Sequence, residues 1–331
     1  MGILNIIHEY RDKMGELQAQ LAVNPQKWKS YQADLDRILD SVFGYFADFE
    51  KENFKNENKI YKMKRLFINN CRSIIRLGKY NRHVIDKPYG YQGDFMIIEE
   101  IYKNSPNTVG IERCMDNYFL KSAASIATRN RKENFEHYLL NFFNERQDHD
   151  IRILDLASGP CTDIIEFYET IREQEQRVFI DCLEHDTNAI GYSQVKLKEK
   201  TFKNQICFLQ KNAIKIALTK NLSFHMPRKY DLIFSTGLFD YLDEKISTLL
   251  IRNLKNLLNS HGLLIVSNYR DKWSNPSRHF MEWGGDWELV YRTQDEFIRI
   301  FREAGFNKHQ LSLAYEPLKV MQYCFASSPK C

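Results

Sequence analysis

Hydrophobic side chains recur at helical spacing through the first 150 residues of the chain. A clear stripe runs over residues 35–46, where apolar positions repeat every three or four residues. That spacing places them on one face of a helix, so it predicts amphipathic helices that pack around a core. The Lys-, Glu- and Asn-rich residues 50–64 are predicted to form a solvated helix face or a loop. Residues 87–94, KPYGYQGD, combine Gly with Pro and predict an ordered loop, after which a helical pattern resumes at 95–102.

The pattern changes after about residue 150, where short β-rich runs alternate with helical stretches. The predicted strands are 151–156, 177–184, 205–210, 231–235, 263–267, 310–315 and 320–326. The segments most typical of helices between them are 162–173, 244–258 and 295–304. This alternation predicts an α/β fold with a mostly parallel sheet covered on both faces. We therefore predict a helical N-terminal domain over 1–149 and an α/β domain over 150–331, with the boundary near 147–150.

Composition narrows the class of protein. The formal net charge of +4 is small for 331 residues, and no Lys/Arg stripe concentrates it, which disfavours nucleic acid as a partner. Seven cysteines are scattered without the spacing of metal ligands, so we expect reduced thiols, no metal and a cytoplasmic location. Charged residues follow the N-terminus too closely for the apolar stretch of a signal peptide. No apolar run approaches the roughly 18 residues that a membrane span needs.

The first candidate for chemistry is a strand followed by a turn of small residues. The strand ends near Asp155, and Ala157, Ser158 and Gly159 follow it before the next helix. Ligands of open α/β sheets bind at the carboxyl ends of the strands, and small residues let a ligand approach the backbone. The segment therefore predicts a ligand-binding turn, although many α/β turns contain small residues.

An acid at the end of the second strand strengthens this interpretation. Glu184 lies 25 residues after Gly159, at a position where a carboxylate can bind both hydroxyls of a ribose. His185 follows, and it is expected either to cover an adenine ring or to lie exposed in a loop. The glycine triplet of nicotinamide-binding enzymes, GxGxxG, is absent, which disfavours a dehydrogenase.

The third and fourth strands end in further polar or small residues. Asn212 and Ala213 follow the third strand, and an Asn amide offers both a donor and an acceptor to the edge of an adenine. Ser235, Thr236 and Gly237 end the fourth strand and are expected to open onto the reaction centre. Each feature is weak by itself, but their order along the chain is informative.

In that order they resemble the class I methyltransferase fold, a Rossmann-like seven-stranded sheet, over roughly residues 150–331. The resemblance implies S-adenosylmethionine as cofactor and a terminal antiparallel hairpin around residues 316–318. It also implies that Asp155 and residues 157–159 line the methionine end, that Glu184 holds the ribose, and that Asn212 and Ala213 border the adenine. Many members have Gly where this chain has Ala157 and Cys161, so we expect a negative φ at Ala157 to accommodate its Cβ.

Three further segments carry a narrower resemblance. They are KPYGYQGD, the run DNYFLKSAASIATRNR at 116–131, and the runs NPSRHFMEW at 275–283 and DWELVYR at 286–292. The last two lie in an aromatic- and Arg-rich insertion at 268–292. They are similar to bacterial carboxyl methyltransferases of the 3-hydroxypalmitic acid methyl ester synthase type. This resemblance implies a small-molecule acid as substrate and a lid loop containing Tyr89, Tyr91 and Asp94. It also implies that Arg129, Asn268 and Arg278 hold the carboxylate or shape the pocket, with Tyr91 and Arg129 close to the cofactor as well.

Two other functions stay open at this point. One is a small-molecule O- or N-methyltransferase of secondary metabolism, with a base such as His279 or Asp240. The other is a non-catalytic cofactor-binding protein whose N-terminal helices form an interface, and those helices also suit a homodimer. A nucleic-acid methyltransferase is disfavoured, because the Asn/Asp-Pro-Pro-aromatic signature is missing and the pair Pro160-Cys161 lies in the predicted cofactor turn.

Overall fold

The computed structural model describes residues 2–146 and 149–328. Gln147 and Asp148, on which the predicted domain boundary partly falls, therefore lie outside the described residues. The chain divides into two compact units. The first contains the residues up to Ile126 together with Pro276–Glu288, and the second contains Ala127–Asn275 together with the residues from Leu289 onward. Among the helices of the described ranges, none combines the length and the apolar character needed to cross a bilayer.

The first unit is helical, as the sequence predicts. Its helices are α1 (Ile3–Val23), α2 (Trp28–Glu52), α3 (Glu57–Ile75), α4 (Lys79–Asp86), α5 (Phe95–Lys103) and α6 (Gly110–Lys121). The predicted stripe forms the inner face of α2, where Leu35, Leu39 and Phe46 are fully buried. Phe46 stacks on Trp283 at 4.2 Å between ring centroids. Trp283 lies on a π-helical turn, Phe280–Gly284, so a segment from late in the chain completes this core.

The second unit contains a seven-stranded sheet. Its strands are β1 (Ile151–Leu156), β2 (Val178–Glu184), β3 (Ile206–Gln210), β4 (Tyr230–Ser235), β5 (Leu258–Tyr269), β6 (Leu311–Tyr315) and β7 (Met321–Ser327). Their order is β3-β2-β1-β4-β5-β7-β6. The first five strands run parallel, whereas β7 pairs antiparallel with both β5 and β6. This confirms the predicted fold class, including the terminal antiparallel hairpin.

Helices cover the two faces of this sheet. They are α7 (Ala123–Asn144), α8 (Thr162–Thr170), α9 (Thr187–Leu197), α10 (Ala213–Leu218), α11 (Leu222–His225), α12 (Glu244–Leu257) and α13 (Gln294–Glu303). Alternate residues of β1 enter different cores, because successive side chains of a strand point to opposite faces. Ile151 and Ile153 pack in one apolar cluster, and Leu154 and Leu156 pack in the other.

The division between the units differs from the predicted boundary at 149/150 in two places. Most of α7 belongs to the sheet unit, because its buried residues Phe135 and Leu139 pack in the same apolar cluster as Ile153. Residues 276–288 belong instead to the helical unit. Hydrophobic periodicity predicts a buried helical face, but it does not say which core the face enters.

Candidate active site

The turn between β1 and α8 has an unusual backbone. Ala157, Gly159 and Cys161 have φ values of 61°, 54° and 52°, in the left-handed region. The predicted negative φ at Ala157 is therefore wrong. The Ala157 amide donates to the carbonyl of Leu183 at 2.8 Å, which bends the chain sharply where β1 ends. A residue with a Cβ adopts this conformation at a cost of about 1–2 kcal/mol, so the surrounding contacts must hold the turn in place.

Glu184 closes the turn from the end of β2. Its carboxylate accepts hydrogen bonds from the backbone amides of Gly159 at 3.1 Å, His185 at 2.7 Å and Asp186 at 2.9 Å. Burial acts to raise the pKa of Glu184, but the hydrogen bonds from the His185 side chain and these amides outweigh it and lower the pKa. The structure thus brings Gly159 and Glu184, two of the predicted cofactor-binding residues, into direct contact and keeps Glu184 ionised.

His185 lies beside this acid. Its Nδ1 is 3.0 Å from the Glu184 carboxylate, and this hydrogen bond is the main cause that raises the pKa of His185. About half of its side chain is exposed. The ring is therefore oriented by Glu184 and also accessible, which is compatible with either predicted environment.

Asp155 and Ser158 present buried oxygen atoms toward the turn. Asp155 Oδ2 and Ser158 Oγ are both buried, and neither has a hydrogen-bond partner among the described residues. Burial is the main cause that raises the pKa of Asp155 well above its ordinary value, and the charges of Asp163 and Glu184 add to it. At Gly159, no described heavy atom beyond its chain neighbours lies within 4 Å of where a Cβ would stand. Unsatisfied acceptors beside open space suit a ligand that supplies donors and positive charge.

Two thiols lie next to Asp155, a feature that the sequence spacing did not reveal. Cys161 and Cys182 are buried with their sulfur atoms 3.9 Å apart, and ligand atoms of both lie within 4.8 Å of an Asp155 oxygen. The side-chain hydrogen bond with Cys161, followed by burial, raises the pKa of Cys182 well above its ordinary value. Cys and Asp are residue types that can ligate a metal ion, so the expected absence of a metal stays a prediction.

The predicted residues at the ends of β3 and β4 make local contacts. Asn212 caps α10, because its side-chain oxygen accepts from the amides of Ile214 at 2.8 Å and Lys215 at 3.3 Å. Ser235 is fully buried and donates to the carbonyl of Leu156 at 3.0 Å, so it ties β4 to β1. Contacts of Asn212, Ala213 and Thr236 with a cofactor stay predictions.

A charged cluster lies where β4 ends. Asp240 accepts from the Asn268 side chain and from the Tyr269 amide, both at 2.7 Å. Its other oxygen is 4.0 Å from the guanidinium of Arg131, which also lies against Gly237. Arg131 follows Arg129 by two residues on α7, and the sequence analysis selected Arg129 and not Arg131 as a site residue.

Asn268 is held inside this cluster rather than turned toward solvent. It is fully buried, and its amide donates to Asp240 and to the carbonyl of Val290 at 3.0 Å. Its oxygen accepts from Arg292 at 2.5 Å. These contacts support a role in positioning Asp240, and the predicted contact of Asn268 with a substrate carboxylate stays a prediction.

The loop at 87–94 is ordered by contacts within the first unit. Asp94 is the N-cap of α5, where its side chain accepts from the amides of Met96 and Ile97, both at 3.0 Å. The same carboxylate is 2.8 Å from His83 Nε2. Tyr89 packs on Phe95 at 4.6 Å between ring centroids. The predicted loop is confirmed, whereas the lid role of Tyr89, Tyr91 and Asp94 stays a prediction.

Arg278 lies in a buried ionic network of the first unit. Its guanidinium is 2.9 Å from carboxylate oxygens of both Glu50 and Glu282. His279 Nε2 is 3.0 Å from the second oxygen of Glu50. Burial and the charge of Arg278 lower the pKa of His279, although Glu50 opposes this. Through this network, Arg278 and His279 join segment 276–288 to α2, which is a structural role. Their roles in catalysis stay predictions.

Glu282 makes the stability of this unit depend on pH. Burial raises its pKa from 4.5 to about 7, with Glu50 and Glu288 adding to the rise and Arg278 and Lys64 opposing it. A carboxyl group with a raised folded-state pKa stabilises the fold at low pH, and that contribution is lost as the pH rises through the folded pKa. We expect the free energy of unfolding to fall by up to about 3 kcal/mol between pH 4.5 and 7.5 through this group.

Chemical denaturation of the wild type and Glu282→Gln across this pH range measures the effect. The amide does not titrate, so the difference in stability between the two proteins should change with pH, whereas the exposed control Glu16→Gln should follow the wild type. Parallel pH profiles for wild type and Glu282→Gln would show that Glu282 titrates normally.

The chain is similar to known proteins both in sequence and in fold. Residues 147–305 match the sequence model of a family described as a methyltransferase domain, which covers just under half of the 331-residue chain. A possible exported protein from Bordetella parapertussis has a similar structure, with a TM-score of 0.56 and 16% identity over 71% of this chain and 79% of that one. No curated protein matches the sequence.

The magnesium protoporphyrin IX methyltransferase from Synechocystis PCC 6803, solved with S-adenosylhomocysteine, is also similar. Its TM-score is 0.51 with 14% identity, over 75% of this chain and 99% of that one. Likenesses at this identity establish the fold. Residues 147–305 are thus similar in sequence to a methyltransferase domain, and the sheet has the fold seen in the magnesium protoporphyrin IX methyltransferase.

The residues at the turn fit this cofactor. S-adenosylmethionine carries a sulfonium and an ammonium group, and the turn offers the buried oxygens of Asp155 and Ser158 without partners among the described residues. Glu184 is ionised and fixed by amide hydrogen bonds, as a ribose-binding carboxylate should be. The chemistry of the site thus supports the predicted cofactor.

Proposed function

We propose that this protein transfers the methyl group of S-adenosylmethionine directly to the carboxylate of a fatty or other small organic acid. The cofactor supplies an electrophilic methyl group on a sulfonium. The chain must hold the acceptor in line with that methyl and exclude water, and it needs no base, because a carboxylate is already ionised at neutral pH. The product of such a transfer is a methyl ester.

The observation that carries this proposal is that both candidate bases are engaged in contacts of their own. His279 is buried against Glu50 and Arg278, and its pKa is lowered. Asp240 accepts two hydrogen bonds on one oxygen and lies 4.0 Å from Arg131 with the other. An acceptor that must lose a proton to a protein base is served poorly by this arrangement.

A hydroxyl or amine acceptor is the second candidate, and one observation favours it. Burial raises the pKa of Asp240, although Arg131, Tyr269 and Asn268 oppose the rise. A carboxylate with a raised pKa is a better base. In that case Asp240→Asn should lower the rate by roughly 100-fold or more, whereas carboxyl transfer should tolerate the change much better.

The test is incubation with methyl-labelled S-adenosylmethionine and a matched panel of acceptors, read by mass spectrometry. The panel pairs each fatty, aromatic or dicarboxylic acid with the alcohol and the amine of the same carbon skeleton. We expect a base-labile labelled methyl ester from at least one acid, and none from Glu184→Ala run in parallel.

Labelled ethers or methylamines would replace the proposal by the second candidate. Binding of S-adenosylmethionine without turnover on any acceptor would instead favour a non-catalytic cofactor-binding protein. The rate of Asp240→Asn, measured with the acceptor that the panel identifies, gives a second comparison between the two enzymatic outcomes.

A further inference from the structure

Arg131 on α7 is a buried arginine whose guanidinium lies beside Gly237. It is 4% exposed, and residues two apart on a helix point to different faces, so Arg131 and Arg129 cannot serve the same site in the same way. The guanidinium nitrogens of Arg131 lie 3.2 and 3.5 Å from where a Cβ would stand on Gly237. Gly237 lies two residues after the end of β4, so the guanidinium lies near the carboxyl end of the central strands, where ligands of this fold bind.

The charge of Arg131 acts on two buried carboxyl groups, those of Asp163 and Asp240. Burial raises the pKa of Asp163, at the start of α8, and of Asp240, after β4, and Arg131 opposes the rise in both. Its 4.0 Å separation from Asp240 is longer than a direct hydrogen bond. The guanidinium therefore lies beside Gly237 and Asp240, near the carboxyl ends of the central strands, and its charge also acts on Asp163 in the first turn of α8.

We propose that Arg131 binds a carboxylate in the active site, with Gly237 providing the space for its guanidinium. The inference rests on the proposed methyl transfer, which brings two carboxylates to this edge: that of the methionine part of the cofactor and that of the acceptor acid. A planar guanidinium binds a carboxylate through two parallel hydrogen bonds, a geometry that the single ammonium of Lys does not reproduce. Arg131→Lys therefore keeps the positive charge and removes the ability to form two parallel hydrogen bonds with a carboxylate.

Binding is measured by calorimetry on Arg131→Lys, with the exposed Arg302→Lys as matched control and thermal unfolding as a check of the fold. The first arm compares S-adenosylmethionine with its decarboxylated analogue. If the cofactor carboxylate is the ligand, Arg131→Lys lowers the affinity for S-adenosylmethionine about 10- to 100-fold and leaves the affinity for the decarboxylated analogue unchanged. The second arm titrates palmitate into protein saturated with S-adenosylhomocysteine. If the acceptor carboxylate is the ligand, only this affinity falls, by a similar factor.

Gly237→Ala provides an independent perturbation, because its Cβ would stand 3.2 Å from the guanidinium and displace it without changing its charge. Gly237→Ala should lower the same ligand affinity that Arg131→Lys lowers. It takes the place of Arg131→Lys in the test if that variant does not fold. Unchanged affinities in both arms would overturn the inference for Arg131. The wild type could form no ester while Arg131→Lys still weakens the binding of S-adenosylmethionine in the first measurement. That result would overturn carboxyl transfer, and Arg131 would then be assigned to the carboxylate of the cofactor.

Discussion

Replacing Glu184 with Ala is expected to weaken cofactor binding by at least about 100-fold, because the two charge-assisted hydrogen bonds that we propose between this carboxylate and the ribose would be lost together. The carboxylate is well prepared for this role, since amide hydrogen bonds from Gly159, His185 and Asp186 fix it and lower its pKa. Calorimetric titration with S-adenosylmethionine and with S-adenosylhomocysteine measures the loss. Both ligands should be affected equally, because they share the ribose.

Two variants make this result interpretable. Glu184→Gln removes the charge and keeps one of the two acceptor oxygens, so it should bind with an intermediate affinity and lose some stability, because one amide is left facing the side-chain NH2 group. Glu199→Ala changes an exposed acid of the same unit and should bind as the wild type does. Undiminished binding by a folded Glu184→Ala protein would contradict the ribose assignment.

Arg278→Met is expected to destabilise the helical unit by about 3–5 kcal/mol, because it leaves two buried carboxylates without their shared cation. Glu50 depends on this cation: burial alone would raise its pKa, yet the bonds with His279 and Arg278 lower it to about 2. Glu282 lies 2.9 Å from the same guanidinium. The loss should appear as a lower midpoint in urea, monitored at pH 7.5.

Arg82→Met is the matched control in the same unit. Its guanidinium pairs with Glu112 at 3.0 Å, but both side chains are substantially exposed, so the change should cost less than about 1 kcal/mol. The result also decides what Arg278 does. A stable Arg278→Met protein that no longer transfers methyl groups would return this residue to the list of substrate-binding candidates, whereas an unstable one supports the structural role.

The sequence was sufficient to predict the sheet and to select Glu184, at the end of its second strand, as a candidate site residue. Hydrophobic periodicity locates the strands, and the carboxyl ends of adjacent parallel strands meet at one edge. The proximity of Gly159 and Glu184 follows from those two facts alone. The terminal hairpin required the resemblance to a known fold, because two short strands by themselves do not reveal that β7 inserts between β5 and β6.

Three features depend on tertiary contacts that no local pattern encodes. The left-handed Ala157 runs against its backbone preference, and the surrounding hydrogen bonds override that preference. The choice between Arg129 and Arg131 depends on how α7 is rotated about its axis. Arg278 lies in a segment rich in aromatic and basic residues, a composition that suits a substrate pocket equally well, and only the position of Glu50 shows that the charge is already balanced.

The helical unit is discontinuous in the chain, since its core includes Trp283 from the segment 276–288. During synthesis, α1 to α6 emerge from the ribosome long before that tryptophan exists. Until then, Phe46 lacks its stacking partner and Glu50 lacks its arginine. The first part of the protein to be made is therefore among the last to finish folding, and a fragment cut after residue 150 would retain every helix of this unit without the segment that completes it.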